Sequence, residues 1–237
     1  MGSGEEERAV YGLAGTVPAV PVKGGKIQRN RLRSRAVETS MKIGVIGTGN
    51  VGKTLGGRFV DAAHDVRYGS REGEGETKTT IREAAEYGDV VVLATPWRAM
   101  GEVVAAAGGF EGKILLDCTN PIREDFNGPA LGPDESAAEQ LAALAPGARI
   151  VKIFNTVGYN IMADPSFAGE PASMLYCGDD GEAKAIAARL ASDLGFYPVD
   201  AGPLIQARSL EALAWLWISM AVKYGHGREI AFRLLKR

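Results

Sequence analysis

The stretch Lys42-Ile-Gly-Val-Ile-Gly-Thr-Gly-Asn-Val-Gly52 decides the fold of this 237-residue chain. Ile43, Val45 and Ile46 form a short apolar strand, and the pattern Gly-x-Gly-x-x-Gly follows it directly. Beyond the last glycine, apolar side chains recur every four residues, as they do in a helix that packs on a sheet. They are Val51, Leu55, Phe59 and Ala63. Strand, tight glycine turn and helix form the context that a dinucleotide-binding fingerprint requires.

Each glycine of this pattern has a physical role in such a fingerprint. Gly47 allows the sharp turn, Gly49 lets the backbone approach a pyrophosphate, and Gly52 lets the helix pack closely on the strand. The pyrophosphate then binds the unpaired N–H groups and the positive dipole end of the helix. The sequence therefore predicts a dinucleotide site at this turn.

The end of the second predicted strand indicates which dinucleotide binds. An NAD site usually has Asp or Glu there, where it accepts a hydrogen bond from the ribose 2′-hydroxyl. Here the strand ends in Gly69-Ser-Arg71, and a guanidinium offers a planar fork of donors that suits a phosphate. Ser70 and Arg71 therefore predict NADP rather than NAD. The alternative is that these two residues are only a polar turn.

The rest of the chain alternates strands with helices. Further strands are predicted at residues 65–68, 90–93, 114–117, 150–154, 174–177 and 196–199. The alternation predicts an α/β fold, a Rossmann-type doubly wound parallel sheet with helices on both faces. Ligands on such sheets bind beyond the carboxyl ends of the strands. Unusual polar and aromatic residues fall at those ends, at residues 47–52, 70–71, 95–97, 120–121 and 155–159.

A last apolar helix is predicted over residues 207–224 and forms a small C-terminal helical extension. Trp215 and Leu216 lie off its main apolar stripe, so the helix is apolar nearly all round. A subunit partner in a homodimer, a ring-shaped substrate or its own domain core could each cover the second face. We therefore divide the chain into a leader at 1–40, an NADP-binding Rossmann domain at 41–200 and a helical segment at 201–237.

The leader is expected to be disordered and to have no part in the fold. It combines three consecutive glutamates, scattered Gly and Pro, and a basic run without apolar periodicity. The basic residues are Arg29, Arg31, Arg33 and Arg35. The glutamates argue against a transit peptide, which is poor in acidic residues. An upstream start codon or an added leader is the preferred explanation, with Met41 as the natural beginning.

The composition is that of a cytoplasmic globular protein. The apolar share is 46%, the charged share is 24% and the net charge is −2, so neither nucleic acid nor an anionic membrane surface is expected as a partner. No apolar run reaches the ~20 residues of a membrane helix. Cys118 and Cys177 lack the spacing of metal ligands and are expected to be buried thiols in a reducing compartment. No metal site is predicted.

Six motifs taken together resemble the NADP-dependent oxidoreductases of the coenzyme F420 reductase type. The motifs are Gly47-Thr-Gly-Asn-Val-Gly52, Gly69-Ser-Arg71, Pro96-Trp97, Phe154-Asn-Thr156, Cys177-Gly-Asp-Asp180 and Asp200-Ala-Gly-Pro-Leu204. The resemblance runs from about Met41 to the C-terminus. The cytosolic domain of the six-transmembrane metalloreductases resembles the same family.

The resemblance implies one group of residues that bind NADP(H) and a second group that bind the acceptor. Thr48, Asn50 and Val51 would hold the pyrophosphate, while Ser70 and Arg71 would hold the 2′-phosphate. The nicotinamide would be bordered by Thr95, Pro96 and Trp97. The residues that would face a deazaflavin are Asn155, Thr156, Val157, Gly158 and Tyr159.

Two departures distinguish this sequence from the archaeal members of that family. Gly75 stands near the place where those enzymes have a lysine that helps to clamp the phosphate. Asn155 and Gly158 stand where those enzymes have histidine and proline. The first change leaves Arg71 for the 2′-phosphate, and the second leaves the identity of the electron acceptor open.

The resemblance implies direct hydride transfer between NADP(H) and the ring of a deazaflavin, coenzyme F420, as a small-molecule co-substrate. No catalytic acid or base is predicted, because hydride transfer between stacked rings moves no proton in the same step and the cofactors carry the reaction. A flavin or a ferric chelate is an alternative acceptor. A non-catalytic NADP(H)-sensing module, with the acceptor space filled by its own side chains, is the alternative from another class.

Overall fold

The computed structural model describes residues 40–71 and 78–237, and a sheet of eight strands lies at the centre of this part of the chain. Its order is β10-β9-β6-β5-β4-β1-β2-β3. The strands are β1 (Lys42–Ile46), β2 (Asp65–Ser70), β3 (Lys78–Thr80), β4 (Val90–Leu93), β5 (Ile114–Asp117), β6 (Arg149–Lys152), β9 (Ser173–Gly178) and β10 (Tyr197–Asp200). A separate hairpin is formed by β7 (Ser166–Phe167) and β8 (Glu170–Pro171).

Helices cover both faces of this sheet. They are α1 (Asn50–Asp61), α2 (Ile81–Tyr87), α3 (Met100–Ala107), α4 (Ala137–Leu144), α5 (Tyr159–Ala163), α6 (Gly181–Asp193) and α7 (Ala207–Val222). Short 3₁₀ turns precede α3 and α7, at Trp97–Ala99 and Leu204–Gln206. The predicted α/β fold of Rossmann type with a C-terminal helix is confirmed. The predicted leader, apart from Ser40, and Gly75 lie outside the described residues.

Side chains that alternate along the strands build an apolar layer on each face of the sheet. On β1, Ile43 and Val45 pack with Leu55 and Phe59 of α1 on one face, while Ile46 packs on the other face with α2 and α3. The side chains of β4 are all buried, as expected of a central parallel strand that is covered on both faces. The sheet therefore holds its strand ends rigidly in place.

Local polar signals fix where several helices begin. The Ser136 side chain accepts a hydrogen bond from the Glu139 N–H at the start of α4, and Asp180 caps α6 in the same way. At α2, Thr80 and Glu83 form a reciprocal capping box. Sequence reasoning missed both the capping box of α2 and the edge strand β3 that precedes it.

The direction of β9 and β10 corrects the expectation of a parallel sheet throughout. β9 pairs antiparallel with β6, and β10 runs parallel to β9. A parallel connection needs a crossover that returns the chain along the sheet. The connection after β6 contains only α5, whose five residues span about 7.5 Å, and the β7–β8 hairpin. The chain therefore re-enters the sheet from the edge at which β6 ends.

A buried group of three charges joins β5, β6 and α7. The Lys152 Nζ lies 3.0 Å from Asp117 Oδ2 and 2.7 Å from Glu211 Oε1, and the Lys152 and Asp117 side chains are completely buried. Burial opposes the charge on Lys152, but the carboxylates of Asp117 and Glu211 outweigh this effect and raise its pKa. Burial raises the pKa of Glu211, and the neighbouring ammonium counteracts this.

The same three residues extend their contacts to the backbone. The Glu211 carboxylate accepts hydrogen bonds from the N–H groups of Ala137 and Ala138, in the first turn of α4. Lys152 donates to the carbonyl oxygen of Thr119, whose own N–H donates to Asp117. The ion group therefore ties α7 to the start of α4 and fixes the backbone directly after β5.

We predict that Lys152→Met lowers the free energy of unfolding by about 3–5 kcal/mol, because two buried carboxylates lose their cation. The matched control is Lys184→Met, which breaks a pair with Asp200 whose side chains are 20% and 46% exposed and should cost about 0–1 kcal/mol. Urea unfolding of the three proteins measures both values. Similar losses in the two variants would contradict this account of the ion group.

Candidate active site

A cleft of about 950 Å³ opens beyond the carboxyl ends of β1, β2 and β4. Its walls combine the glycine turn, the tip of β2, the segment after β4 and one side of α3. The lining residues are Ile46, Gly47, Thr48, Gly49, Gly69, Ser70, Arg71, Ile81, Ala94, Thr95, Pro96, Ala99, Glu102, Val103 and Ala106. Seven of them belong to the predicted cofactor set.

The three fingerprint glycines have different environments. Gly47 has a φ of 114°, and a Cβ there would collide with the Ala94 carbonyl. A Cβ on Gly52 would collide with the carbonyl of Gly47. A Cβ on Gly49, in contrast, would have no heavy atom within 4 Å. The fold itself requires Gly47 and Gly52, whereas nothing in the described residues explains why position 49 has no side chain.

The start of α1 is suited to an anion. Gly49 is its N-cap residue, no side chain of the described residues caps it, and its first turn carries no acidic residue. The first N–H groups of a helix have no intrahelical partner and lie at its positive dipole end. Thr48 and Gly49 line the cleft at this point. A phosphate group in the cleft would find donors and a favourable field there.

The tip of β2 lies on the far wall of the same cleft. Ser70 is half-buried and Arg71 is exposed, and both line the cleft. Arg67, three residues before the end of the strand, instead stacks on Tyr87 at 3.8 Å from the ring centroid. The guanidinium that borders the cleft therefore belongs to Arg71, directly after the strand.

The segment after β4 forms the edge of the cleft that lies towards β5. Thr95 and Pro96 line the cleft, and Trp97 begins the 3₁₀ turn that leads into α3. The Trp97 indole is half-buried, and its Nε1–H has no hydrogen-bond partner within the described residues. A buried indole N–H usually has a partner. This donor is therefore available to a ligand or a water molecule.

The segment predicted to face the acceptor follows β6 and is largely buried. Asn155 is 4%, Thr156 is 1% and Val157 is 7% exposed, while Gly158 is half-buried and Tyr159 is 36% exposed at the start of α5. None of the five lines the cleft described above. The structure brings Thr48, predicted to bind the pyrophosphate, and Ser70 and Arg71, predicted to bind the 2′-phosphate, to one cleft. It places the predicted acceptor segment two strands away, after β6.

A pair of side-chain amides connects the ends of β5 and β6. Asn120 Nδ2 donates to the Asn155 carbonyl oxygen at 2.8 Å, and Asn155 Nδ2 donates to Asn120 Oδ1 and to the Leu210 carbonyl oxygen, both at 3.1 Å. Because Asn155 Nδ2 donates to two acceptors, the orientation of the Asn155 amide is fixed. The Asn155 Oδ1 atom is left buried and without a partner within the described residues.

Two hydroxyl groups beside this amide pair are also unpaired. Thr119 Oγ1 and Thr156 Oγ1 are buried and have no hydrogen-bond partner among the described residues. Buried polar atoms usually have a partner, and each exception requires a reason such as a ligand or a water. With Asn155 Oδ1 and Trp97 Nε1, the segments after β4, β5 and β6 each carry at least one buried polar atom without a partner among the described residues.

Sequence reasoning missed three parts of this region. Thr119 was not predicted, because one buried threonine after a strand carries no distinctive signal. The α3 wall was missed, although Ala99, Glu102, Val103 and Ala106 have helical spacing after the strand end. Trp217 was predicted only as part of an apolar stripe, yet a Cβ on Gly158 would lie 2.7 Å from its Cη2 atom.

Comparison with known proteins identifies the family. Residues 42–121 match the family model described as NADP oxidoreductase, coenzyme F420-dependent. The F420-dependent NADP reductase of Methanothermobacter thermautotrophicus is 30% identical over 212 residues, which cover 77% of this chain and 90% of that protein. This chain belongs to that family. It is therefore an NADP-dependent oxidoreductase, as its motifs predicted.

Two further similarities agree with the family. A solved structure from Arthrobacter sp. FB24, proposed to be an F420-dependent NADP reductase, has a TM-score of 0.75 and 31% identity, with 83% of this chain and all of that chain covered. The metalloreductase STEAP3 of Rattus norvegicus is 31% identical over 181 residues, or 73% of this chain. The chain spans only 36% of the length of that metalloreductase.

The described part of the chain gives one result on membrane insertion. None of its helices combines the length and the apolar character that crossing a bilayer requires.

We predict that Gly49→Ala and Gly52→Ala fail in different ways. An alanine at position 49 meets no protein atom, so the melting temperature should stay within about 2 °C while NADP⁺ affinity falls about tenfold or more, a change of 1.4 kcal/mol. An alanine at position 52 collides with backbone and should cost about 1–3 kcal/mol of stability. Thermal melts and calorimetric titrations measure both effects. Unchanged NADP⁺ affinity in the Gly49 variant would show that no phosphate of the nucleotide binds at this turn.

Proposed function

We propose that this protein transfers a hydride between NADP(H) and a planar ring acceptor, with the deazaflavin coenzyme F420 as the preferred one. One observation carries the nucleotide half of this proposal. The uncapped start of α1 and the Arg71 terminus of β2 border one cleft, so a pyrophosphate and a 2′-phosphate can be bound at the same time. The names of the relatives support the acceptor half.

The residues in and beside the cleft fit the parts of NADP(H). Thr48, Asn50 and Val51, at the turn and the first residues of α1, would bind the pyrophosphate. Ser70 and Arg71 would bind the 2′-phosphate, which a strand-end carboxylate would repel. The nicotinamide would lie towards Thr95, Pro96 and Trp97. These three residues follow β4, whereas the predicted acceptor segment follows β6.

The unpaired polar atoms support a ring with polar substituents at the ends of β4 to β6. Asn155 Oδ1 can only accept a hydrogen bond, Trp97 Nε1 can only donate one, and the Thr119 and Thr156 hydroxyls can do either. A nicotinamide carboxamide and the imide edge of a deazaflavin or flavin both present donors and acceptors together. Such a ligand would satisfy groups that the protein leaves unpaired.

The protein's part in the reaction is to position the rings and to exclude water. When bound, NADPH supplies the hydride from its nicotinamide ring. The buried charged groups behind the ends of β5 and β6 are Asp117, Lys152 and Glu211, and they are engaged with one another and with backbone. None of them is available as an acid or base. Holding the reacting carbons ~3–3.5 Å apart can lower the barrier by several kcal/mol.

A flavin or ferric chelate is the second candidate acceptor. The similarity to the metalloreductase favours it, and the substitution of His and Pro by Asn155 and Gly158 is compatible with a change of acceptor. The sensing module has one observation in its favour, because the Trp217 indole lies directly against Gly158. For the protein to act as an enzyme, the acceptor ring must still be able to reach the nicotinamide although this indole lies beside Gly158.

We predict that Arg71→Ala weakens NADPH binding by about 1.5–3 kcal/mol and barely changes NADH binding, since it removes a hydrogen bond to a charged group. The matched control is Arg67→Ala on the same strand, whose guanidinium stacks on Tyr87 and should leave both affinities unchanged. Calorimetric titration of both nucleotides measures the difference. Equal losses for NADPH and NADH in the Arg71 variant would show that this arginine does not read the 2′-phosphate.

We predict direct transfer of label from stereospecifically deuterated NADPH to the acceptor ring. One of the two deuterated epimers should deliver deuterium to the reduced deazaflavin carbon and show a kinetic isotope effect in a single turnover, because no exchangeable intermediate lies between the rings. Mass spectrometry of the product and stopped-flow absorbance measure the two effects. If no label is transferred and neither a flavin nor a ferric chelate is reduced, the result favours the non-catalytic sensing module over the enzyme.

A further inference from the structure

The last residues of the chain fold back over the acceptor side of the protein. We call residues 228–235 the C-terminal strap. After α7, Gly225 and Gly227 turn the chain with φ values of 77° and 72°. The Phe232 carbonyl then accepts a hydrogen bond from the Ser173 N–H at 3.0 Å, and the Leu234 N–H donates to Ser173 Oγ at 2.9 Å. The strap therefore lies along the start of β9.

The strap also contacts the helix that begins at the acceptor segment. Asn160, in the first turn of α5, donates from Nδ2 to the Arg228 carbonyl oxygen at 2.8 Å and to the Glu229 carboxylate at 2.7 Å. Arg233 forms an ion pair with Glu170 of the β7–β8 hairpin. These contacts hold the strap in a defined position next to α5.

Trp217 lies between the strap and the acceptor segment. Its indole is 7% exposed, and its Nε1–H donates to the Ile230 carbonyl oxygen of the strap at 2.8 Å. On its other side, the Cη2 and Cζ2 atoms face Gly158, where a Cβ would lie 2.7 Å and 3.2 Å from them. The absence of a side chain at Gly158 therefore makes room for this indole and for Asn160 Oδ1, which would lie 2.5 Å from the same Cβ.

We propose that Trp217, held by the C-terminal strap, determines the size of the acceptor ring that can reach the acceptor segment. This inference rests on the proposed function, because it takes residues 155–159 as the place where the acceptor binds. The indole fills a ring-sized space directly beside Gly158. The indole edge limits how far the three fused rings of a deazaflavin or flavin can extend over Gly158, whereas a single ring needs none of that space. The strap fixes the limit, because its hydrogen bond restrains the indole from rotating away.

The test compares wild-type protein with Trp217→Leu, Trp217→Phe and a matched control, Leu216→Ala. Leu216 is the neighbouring residue on α7 and is 48% exposed. For each protein, steady-state kinetics with NADPH gives KM and kcat for a three-ring acceptor, FMN, and a one-ring acceptor, 1,4-benzoquinone. Quenching of FMN fluorescence gives its Kd without NADPH, and calorimetry gives the Kd of NADP⁺.

Trp217→Leu should raise kcat/KM for FMN relative to benzoquinone about tenfold and lower the Kd of FMN by a similar factor. Trp217→Phe, which keeps a smaller ring, should change the ratio less, and it carries the test if the leucine variant does not fold. The control should match the wild type. The Kd of NADP⁺ should stay within twofold in all four proteins.

Two results would overturn the inference while the proposed function stands. One is an FMN-to-benzoquinone ratio in both Trp217 variants within twofold of wild type. The other is a parallel loss for both acceptors and for NADP⁺, which would make Trp217 a packing residue only. If wild-type protein binds no NADP⁺ and reduces no acceptor, the proposed function itself fails and the inference fails with it.

Discussion

An ammonium group in a dry interior needs negative partners, and Lys152 obtains them from two different parts of the chain. Asp117 lies at the end of β5, and Glu211 lies on α7, about ninety residues further along. Any arrangement that separates α7 from the sheet would leave buried charge uncompensated, at a cost of several kcal/mol. The placement of α7 then determines where Leu210 and Trp217 meet the acceptor segment, so the geometry beside Asn155 and Gly158 depends on this one electrostatic requirement.

The two halves of the site are built in different ways. The nucleotide half consists of backbone and small side chains, with a helix dipole and one arginine that provide the charge. The proposed acceptor half contains buried amides and an indole that hydrogen bonds to other elements hold in place. It also contains two hydroxyls without a partner among the described residues. Specificity for the nucleotide is therefore encoded in a short stretch, whereas specificity for the acceptor depends on packing across the whole fold.

This division explains what could be predicted from the sequence. The glycine turn and Ser70–Arg71 were predictable because their chemistry follows from residue types at a fixed local spacing. The reversed direction of β9 was not predictable, because it depends on α5 being too short to return the chain. The Lys152 ion group was not predictable either, since its members are 35 and 59 residues apart along the chain. Trp217 showed only the apolar spacing of a helix, and its contact with Gly158 depends on that same long-range pairing.

The hydrogen bonds between Ser173 and the C-terminal strap have a consequence for synthesis on the ribosome. Chains emerge from the N-terminus at about 5–20 residues per second. The strands β1, β2 and β4 and the cleft they carry are complete in sequence before α7 and the strap are translated. A nascent chain can thus assemble its dinucleotide half early, while the proposed acceptor half closes only after residues 228–235 have been translated and have left the ribosome.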